Sequence, residues 1–383
     1  MSSNLLVSLV SEQTIPNVQM IKQLDGKINQ YLFISTESME KTGQRRWIIN
    51  ATHIEPEKLM HPIIVDQFSF SSIEENLDKI DFSVFNRIYV NLTGGTKVMT
   101  LAAFEFFKEV GAEIYYLTGR ANERIKVSPG RKKTMDKISA RVTLNEYLTA
   151  YGFEFRETAD SGIEPDFTKH FFGLYTVKES ILPGNLIINA LREKYRGKGV
   201  KLNDLEGLIE FLVQIGYPVK SDKLSKYEVK YLTGEWFEEW VYQKLLEEKL
   251  AVPENIKAGI VLSKKSREGE TVPNEMDVLF IHADTLYTIE CKTSVFQKLY
   301  NPSNSQGQTE KLVSIIGDVI YKSDSLQKSF GLNARTNIFI LNSKEEDKVI
   351  SNSQQDRARL SGIKIFYLED LANCQSLTHL LEI

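Results

Sequence analysis

Short apolar runs alternate with amphipathic segments over the first 120 residues of the chain. This alternation is typical of a doubly wound α/β domain. Several runs are apolar at every position, as expected for parallel strands that are covered on both faces. The pattern predicts strands Leu5 to Val10, Tyr31 to Ser35, Ile63 to Val65, Ile88 to Leu92 and Ile114 to Leu117, with helices Asn17 to Leu24 and Val98 to Val110.

The pattern changes after Arg120, where a mixed and largely helical stretch begins. From Tyr227 onward a strong helical pattern, Glu235 to Leu250, is followed by strand-like runs, which is an α+β order. We therefore expect a Rossmann-like α/β domain in residues 1–120, a mainly helical connector in residues 121–226 and an α+β domain in residues 227–383. The runs of the last domain are Gly259 to Leu262, Met276 to Ile281, Leu286 to Cys291, Asn337 to Leu341 and Ile363 to Leu368.

Composition narrows the class of protein. The formal net charge of −4 argues against a general nucleic-acid-binding surface, so any nucleic-acid contact is expected to be local. Two cysteines make no disulfide framework, and the five histidines are not at zinc-ligand spacing. No stretch is long and apolar enough for a signal sequence or a membrane span. We expect a reduced, soluble protein of the cytoplasm.

Two apolar runs flank His282 to Thr285, which predicts a β-hairpin. A turn centred between Ala283 and Asp284 places Asp277 opposite Glu290 and Glu275 opposite Lys292. Because side chains alternate along a strand, these four charged groups emerge on one face at one end of the hairpin.

Opposed acids on neighbouring strands repel each other unless a cation lies between them. A hard divalent ion, Mg²⁺ or Mn²⁺, accepts carboxylate oxygens and would relieve this repulsion. Beside the ion, Lys292 would orient or deprotonate the attacking water and balance charge on a phosphate, as in metal-assisted phosphodiester hydrolysis. The alternative is a surface hairpin with a Glu-Lys salt bridge, which leaves Asp277 opposite Glu290 unexplained.

Met276-Asp277 followed by Glu290-Cys291-Lys292 resembles the PD-(D/E)xK nuclease signature, with Met276 in place of the proline. The resemblance implies that Asp277 and Glu290 are metal ligands and that Lys292 is the catalytic lysine. In that family a helix before the core often contributes a further acid. Glu238, on the predicted helix that follows Gly234, is our choice for it, with a solvent-facing glutamate as the alternative.

A second candidate site follows the predicted strand Ile88 to Leu92. The loop Thr93-Gly94-Gly95-Thr96-Lys97 leads from this strand into the helix Val98 to Val110. Ligands bind at such strand ends, and the helix start offers unpaired N–H groups. Two glycines let the backbone approach an anion, and Lys97 at a helix N-terminus becomes favourable when an anion is present. We expect an anion here, although a plain turn with an exposed lysine fits the same residues.

The loop after the first strand ends at the same edge of the sheet. Hydroxyl and amide side chains in this loop suit the ribose or base edges of a nucleotide, although each of them also fits a helix cap. The candidate ligand-binding residues are therefore Ser11, Gln13, Thr14 and Asn17 from this loop, with Thr93, Gly94, Gly95, Thr96 and Lys97 from the other.

The Thr93 to Lys97 loop resembles that of a CARF domain, the Rossmann-like sensor of cyclic oligoadenylate in type III CRISPR defence. A CARF domain joined to a PD-(D/E)xK nuclease resembles the CRISPR ancillary nucleases of the DUF1887 group. The resemblance implies a homodimer that binds cyclic tetra-adenylate across its two-fold axis and cleaves single-stranded DNA or RNA, with nicking of supercoiled DNA. Two rivals stay open: a constitutive repair or restriction nuclease, and a nucleotide sensor with an inactive nuclease domain.

Overall fold

The computed structural model of the chain describes residues 3–119, 122–130, 132–157, 165–177, 182, 185–195, 197–265, 271–299, 311–344 and 349–383. Two large β-sheets organise this part of the chain, a seven-stranded sheet in the N-terminal half and a six-stranded sheet in the C-terminal half. Of the helices within these ranges, none is long and apolar enough to cross a membrane.

The first sheet has the Rossmann-like arrangement predicted from the sequence. Its strand order is β3-β2-β1-β4-β5-β6-β7, and β1 to β5 are parallel. Each of the five predicted strands is present, which confirms the α/β class of this region. The strands are β1 Ser3–Leu9, β2 Gln30–Ser35, β3 Ile63–Ile64, β4 Phe85–Asn91, β5 Glu113–Leu117, β6 Glu123–Ser128 and β7 Thr134–Lys137.

Helices cover both faces of this sheet because its central strands are apolar on both sides. Leu5 and Val7 of β1 share a core with Phe107, whereas Leu6 between them shares the opposite core with Met20 and Ile48. The helices are α1 Ile15–Gln23, α2 Glu37–Thr42, α3 Gln44–Thr52, α4 Phe70–Leu77, α5 Lys97–Glu109 and α6 Leu144–Ala150.

The first sheet continues past the boundary that the sequence predicts at Arg120. Strands β6 and β7 extend it in antiparallel fashion, so the residues expected to begin a helical connector are strands instead. All four residues of β7 are exposed, and β6 is only half-buried over most of its length. Strand β7, at the edge of the sheet, lacks the apolar alternation that identifies a strand in a sequence.

The second sheet has the order β17-β16-β13-β12-β11-β8. The hairpin β12–β13 lies in its centre, with β11 antiparallel to β12 and β16 parallel to β13. The five runs predicted as strands in this domain are all present, whereas β8 was not predicted. The strands are β8 Glu154–Glu157, β11 Ile256–Lys265, β12 Thr271–His282, β13 Thr285–Lys292, β16 Ala334–Ile340 and β17 Lys364–Phe366; two small pairs are β9 Val200–Lys201 with β10 Lys223–Leu224, and β14 Phe296–Leu299 with β15 Lys311–Ser314.

Helices from the predicted connector pack onto the second sheet and share its core. Phe171 contacts Trp236 with ring centroids 4.9 Å apart, and Phe172 stacks on Trp240 at 3.8 Å. The connector helices are thus part of the C-terminal unit. The helices here are α7 Pro165–Thr176, α8 Leu186–Lys194, α9 Leu208–Gln214, α10 Lys226–Lys230, α11 Trp236–Glu247, α12 Ile316–Ser329, α13 Asn352–Leu360, α14 Leu368–Asn373 and α15 Leu377–Leu381.

The two halves of the molecule share a further apolar core, which we term the interdomain cluster. It combines Ile15 and Val18 of α1 with Tyr147 of α6. From the second sheet it includes Leu279 and Leu286 of the hairpin. The hairpin is therefore covered on this side by helices of the N-terminal half.

Candidate functional site

The β12–β13 hairpin has the register that the sequence predicts. Val278 pairs with Ile289 and His282 with Thr285, so the turn consists of Ala283 and Asp284. Both turn residues have positive φ angles, 47° and 61°, as a two-residue turn of type I′ requires. Continuing this register by one residue places Asp277 opposite Glu290.

The side chains of Asp277, Glu290 and Lys292 converge at the open end of the hairpin. Lys292 Nζ lies 3.0 Å from Asp277 Oδ2 and 2.7 Å from Glu290 Oε1. It also donates to the carbonyl oxygen of Cys291 at 3.2 Å. Three oxygen atoms from two strands therefore face one point, which the ammonium occupies.

Burial gives this cluster unusual acid–base properties. Asp277 and Glu290 are each 7% exposed. Burial, followed by the charge of Glu290, raises the pKa of Asp277 to about 6, against the lowering effects of Lys292 and the Cys291 N–H. Burial lowers the pKa of Lys292, but Asp277 and Glu290 outweigh it and raise the pKa above its usual value, so Lys292 stays an ammonium.

Glu238 lies beside this cluster, near the start of α11. Burial raises its pKa well above the usual value, and the charge of Asp277 raises it further. The apolar neighbours Trp236, Phe237 and Trp240 are buried in the core, as the sequence predicts. Glu238 thus faces the acidic cluster from a different element.

A π-helical turn, Tyr231–Glu235, places the start of α11 next to the end of β13. The carbonyl oxygen of Thr233 in this turn accepts hydrogen bonds from Arg192 at 3.0 Å and from the Thr293 hydroxyl at 3.4 Å. Thr293 directly follows Lys292, so these bonds tie the helix that carries Glu238 to the strand that carries the lysine.

The oxygen donors of this cluster suit a hard divalent cation. Within the described ranges, no three His, Cys, Asp or Glu side chains converge closely enough to hold a metal ion by themselves. Asp277, Glu290 and the Cys291 carbonyl nevertheless surround a single cation, the Lys292 ammonium, at contact distances. Such oxygens are the ligands that Mg²⁺ and Mn²⁺ prefer. Asp277 and Glu290 are thus the residues that would hold the metal.

A further lysine, Lys322 of α12, lies at the same site and was not predicted. Its Nζ is 3.6 Å from Glu290 Oε1 and donates to the Glu275 carbonyl at 3.2 Å. Its side chain is 41% exposed, so it borders the solvent side of the cluster. No motif marks this lysine in the sequence. Its proximity depends on how α12 packs against the sheet.

The two loops of the N-terminal candidate site are brought together. A Cβ atom on Gly94 would lie 2.4 Å from the carbonyl oxygen of Leu9 and 3.2 Å from Ser11 Oγ. Gly95 has a φ angle of 77°, in the region that favours glycine. Only glycine fits at position 94, because a larger residue would push the loop away from β1.

Thr96 and Lys97 form the start of α5. Thr96 caps the helix by accepting from the Met99 N–H, and it donates to the carbonyl of Gln67 at 2.8 Å. Lys97 is exposed at the first position of the helix. Thr93 donates to Asn91 Oδ1 at 2.7 Å. The loop is thus ordered by its own side chains while Lys97 faces solvent.

The side chains of the first loop form hydrogen bonds with other residues of the protein. Asn17 is buried and donates to the Leu9 carbonyl, and buried Thr14 donates to the Ala150 carbonyl at 2.6 Å. Gln13 Oε1 accepts from the Leu332 N–H and from the Tyr151 hydroxyl. Ser11 Oγ donates to the Gln13 carbonyl at 3.3 Å. Sequence reasoning missed the partners of Thr14 and Gln13, because Ala150, Leu332 and Tyr151 are distant along the chain.

The protein joins a Rossmann-like domain, which has a glycine-rich loop at its strand ends, to a sheet that presents two acids and a lysine. This combination places it in the class of nucleases with a nucleotide-binding regulatory domain. Comparison with family models agrees: residues 5–147 match the Card1 CARF domain, and residues 225–376 match the Card1-like endonuclease domain. The chain belongs to the CRISPR ancillary nucleases that join these two domains, as its sequence motifs predict.

Three solved structures share this fold across nearly the whole chain. Protein VC1899 from Vibrio cholerae is 17% identical, with 99% of this chain and 97% of that chain covered and a TM-score of 0.73. Can2 from Sulfobacillus thermosulfidooxidans, solved in complex with cyclic tetra-adenylate, is 19% identical, with 96% and 97% covered and a TM-score of 0.70. A type III CRISPR defence DNA nuclease activated by cyclic oligoadenylate is 17% identical, with 94% and 52% covered and a TM-score of 0.50. No curated protein sequence matches the chain.

Proposed function

We propose that this protein is an Mg²⁺- or Mn²⁺-dependent endonuclease of type III CRISPR defence that is activated by cyclic oligoadenylate, with cyclic tetra-adenylate as the expected ring. Its substrate is single-stranded DNA, single-stranded RNA or both, with nicking of supercoiled DNA as a further activity. The observation that carries the proposal is the convergence of Asp277, Glu290 and Lys292 at one end of a hairpin whose domain is joined to a CARF domain.

The nuclease chemistry follows from the protonation states of these residues. When bound, the divalent ion supplies a Lewis acid and lowers the pKa of a water molecule. Asp277 and Glu290 would hold it through their carboxylates. Lys292, whose pKa is raised by these two acids, remains a cation and stabilises negative charge on the attacked phosphate. Glu238, whose pKa burial raises well above its usual value, is placed to donate a proton at this site.

The two loops of the N-terminal candidate site support the proposal of a regulatory ligand. The exposed Lys97 at the start of α5 and the close approach of Gly94 to β1 suit an anionic, phosphate-containing ligand. Beside this loop, Phe68 is 75% exposed and Leu101 of α5 is 58% exposed. Contiguous exposed apolar surface marks protein interfaces, and these two side chains are our candidates for such a surface. They fit a homodimer in which one ring contacts the loops of both subunits.

The proposal is tested by cleavage assays with the full chain and Mn²⁺. Single-stranded DNA, single-stranded RNA and supercoiled plasmid are each incubated without activator and with cyclic tri-, tetra- or hexa-adenylate. We expect cleavage that depends on Mn²⁺ and rises strongly with cyclic tetra-adenylate. The molar mass of the protein, measured by light scattering, is expected to be that of a dimer.

The same assay separates the two rivals. Cleavage with Mn²⁺ that is equal with and without every cyclic oligoadenylate identifies a constitutive nuclease. Binding of a cyclic oligoadenylate without cleavage of any substrate identifies a sensor whose nuclease domain is inactive.

A further inference from the structure

The tip of the β12–β13 hairpin is buried against the N-terminal half of the molecule. Asp284, the second turn residue, is only 2% exposed, whereas turns ordinarily lie at the surface. Burial of an unpaired carboxylate is costly, so such a residue needs polar partners. Burial also raises the pKa of Asp284, although its partners oppose this. The identity of those partners shows what the tip contacts.

Within the part of the chain that the structure describes, the polar partners of the two turn residues come from the CARF side. One oxygen of Asp284 accepts from the backbone N–H of Val142 at 2.6 Å, and the other accepts from Gln19 Nε2 at 3.1 Å. Arg141 lies 3.5 Å from that second oxygen. Asn122 Nδ2 donates to the carbonyl of the preceding turn residue at 3.1 Å. A helix, a loop and the segment before α6 thus hold one turn.

The hairpin connects this tip to the catalytic cluster. Its strands stay in register from the turn to the pair Val278 and Ile289, and Asp277 and Glu290 directly adjoin that pair. From Asp284 to Asp277 the strand spans roughly 23 Å at about 3.3 Å per residue. Backbone hydrogen bonds join the two strands over this length, so a shift of the tip is transmitted along the hairpin to both acids.

On the other side, α1 connects the tip to the first ligand loop. Gln19 lies on α1, whose N-cap is Thr14 at the end of that loop. A second contact runs in parallel, since Gln13 in the loop accepts from the Leu332 N–H at 2.9 Å. Leu332 lies just before β16, the strand that pairs with β13. The loop therefore touches the nuclease sheet at the neighbour of the catalytic strand.

We propose that Asp284 is a positioning residue: through its bonds to Gln19 and Val142 the CARF domain sets the position of the hairpin, and hence of Asp277 and Glu290. The inference rests on the proposed function, because it specifies how nucleotide at one site controls cleavage at the other. A ligand shifts such an equilibrium only by binding one arrangement better than another. The contact between α1 and the hairpin tip is where the two arrangements differ.

The deciding quantity is the activation ratio, which is the cleavage rate with saturating cyclic oligoadenylate divided by the rate without it. The full chain is assayed with Mn²⁺ and a single-stranded substrate, using the ring that stimulates the wild type. We expect Asp284→Ala to lower this ratio by about tenfold or more, within the roughly 5- to 150-fold range of allosteric coupling. Asp284→Asn keeps an oxygen acceptor for the Val142 N–H and is expected to retain a larger ratio than Asp284→Ala.

A matched control is Glu40→Ala, which removes a partly buried ion pair with Arg45 inside the CARF domain and none of the bonds to the hairpin tip. Its ratio is expected to equal that of the wild type. If Asp284→Ala does not fold, Gln19→Ala decides, because it removes only a neutral amide from the tip.

An unchanged ratio in the folded variants, with both rates lowered equally, would show that Asp284 only holds the halves together and would overturn the proposal. A wild type that no cyclic oligoadenylate stimulates contradicts the proposed function instead, before any variant is made.

Discussion

At the residue scale, the nuclease cluster holds two acids and one ammonium in contact, so each member has a separable effect. Glu290→Gln removes one ligand charge and preserves side-chain shape. We expect cleavage to fall by about a hundredfold or more, since metal chemistry contributes several kcal/mol and each ~1.4 kcal/mol is tenfold in rate. Binding of cyclic oligoadenylate, measured by calorimetry, is expected to be unchanged.

Glu275→Gln is the matched control for this variant. Glu275 lies on β12 two residues before Asp277 but is exposed and pairs only loosely with Lys230, at 3.5 Å. Exposed ion pairs contribute about 1 kcal/mol or less, so cleavage is expected to stay within roughly fivefold of the wild type. Full activity in Glu290→Gln would exclude Glu290 as a metal ligand.

The raised pKa of Asp277 predicts how metal binding depends on pH. Its pKa of about 6 means that the side chain is mainly protonated below that pH and ionised above it. A metal ligand must be deprotonated, so protons compete with the metal. Apparent Mn²⁺ affinity is therefore expected to fall by about tenfold per pH unit below about pH 6 and to level off above it. Calorimetric Mn²⁺ titrations of the full chain from about pH 5 to about pH 8 measure this. An affinity that is flat across that range contradicts it.

The position of Lys322 leads to a prediction that the sequence does not suggest. Because it borders Glu290 on the solvent side, we expect it to contact substrate phosphate. Lys322→Ala is expected to raise KM for a single-stranded substrate by about fivefold, which corresponds to roughly 1 kcal/mol for a partly exposed charged contact, with a smaller effect on kcat. Lys328→Ala, which removes an exposed pair with Asp324 on the same helix, is the control. Equal KM values in the two variants would place Lys322 outside the substrate path.

At the scale of elements, the two ends of α5 differ, since its first turn borders the glycine loop and its last turn does not. Lys97 stands at its N-terminus, where a cation is favourable only beside an anion. Lys97→Ala is expected to weaken cyclic oligoadenylate binding by about tenfold and to raise the activator concentration needed for cleavage by a similar factor. Lys108→Ala, in the last turn of α5, is expected to leave both unchanged. Equal affinity in both variants would show that the Lys97 loop has only a structural role.

Elements differ in how much of them could be predicted from the sequence. The hairpin could be predicted in register, because a period of two and a two-residue turn determine which side chains oppose each other. The edge strands β7 and β8 could not, since their charged and exposed side chains carry no apolar period, and β6 offers only two apolar residues, Ile125 and Val127. The contact of Gln13 with Leu332 was also out of reach, because the two residues lie 319 positions apart along the chain.

At the scale of the whole molecule, both faces of the nuclease sheet are covered by helices. Helices α7 and α11 cover one face, where Phe171 packs on Trp236. On the other face, α6 covers the hairpin through Tyr147 in the interdomain cluster. Residues before 227 are therefore needed to bury both faces, since large exposed apolar surfaces lead to aggregation.

This arrangement predicts which fragments fold. We expect residues 227–383 alone to be insoluble or molten, because they lack the helices that cover Trp236 and Trp240. Residues 141–383 retain α6 and α7, and are expected to fold and to cleave single-stranded substrate with Mn²⁺. They lack α1 and its bond to Asp284, so cyclic oligoadenylate is expected to leave their rate unchanged. Circular dichroism and the cleavage assay measure the two properties. A folded, active 227–383 fragment would show that the connector helices are not part of the nuclease core, and a 141–383 fragment that still responded to cyclic oligoadenylate would place the regulatory site outside the CARF domain.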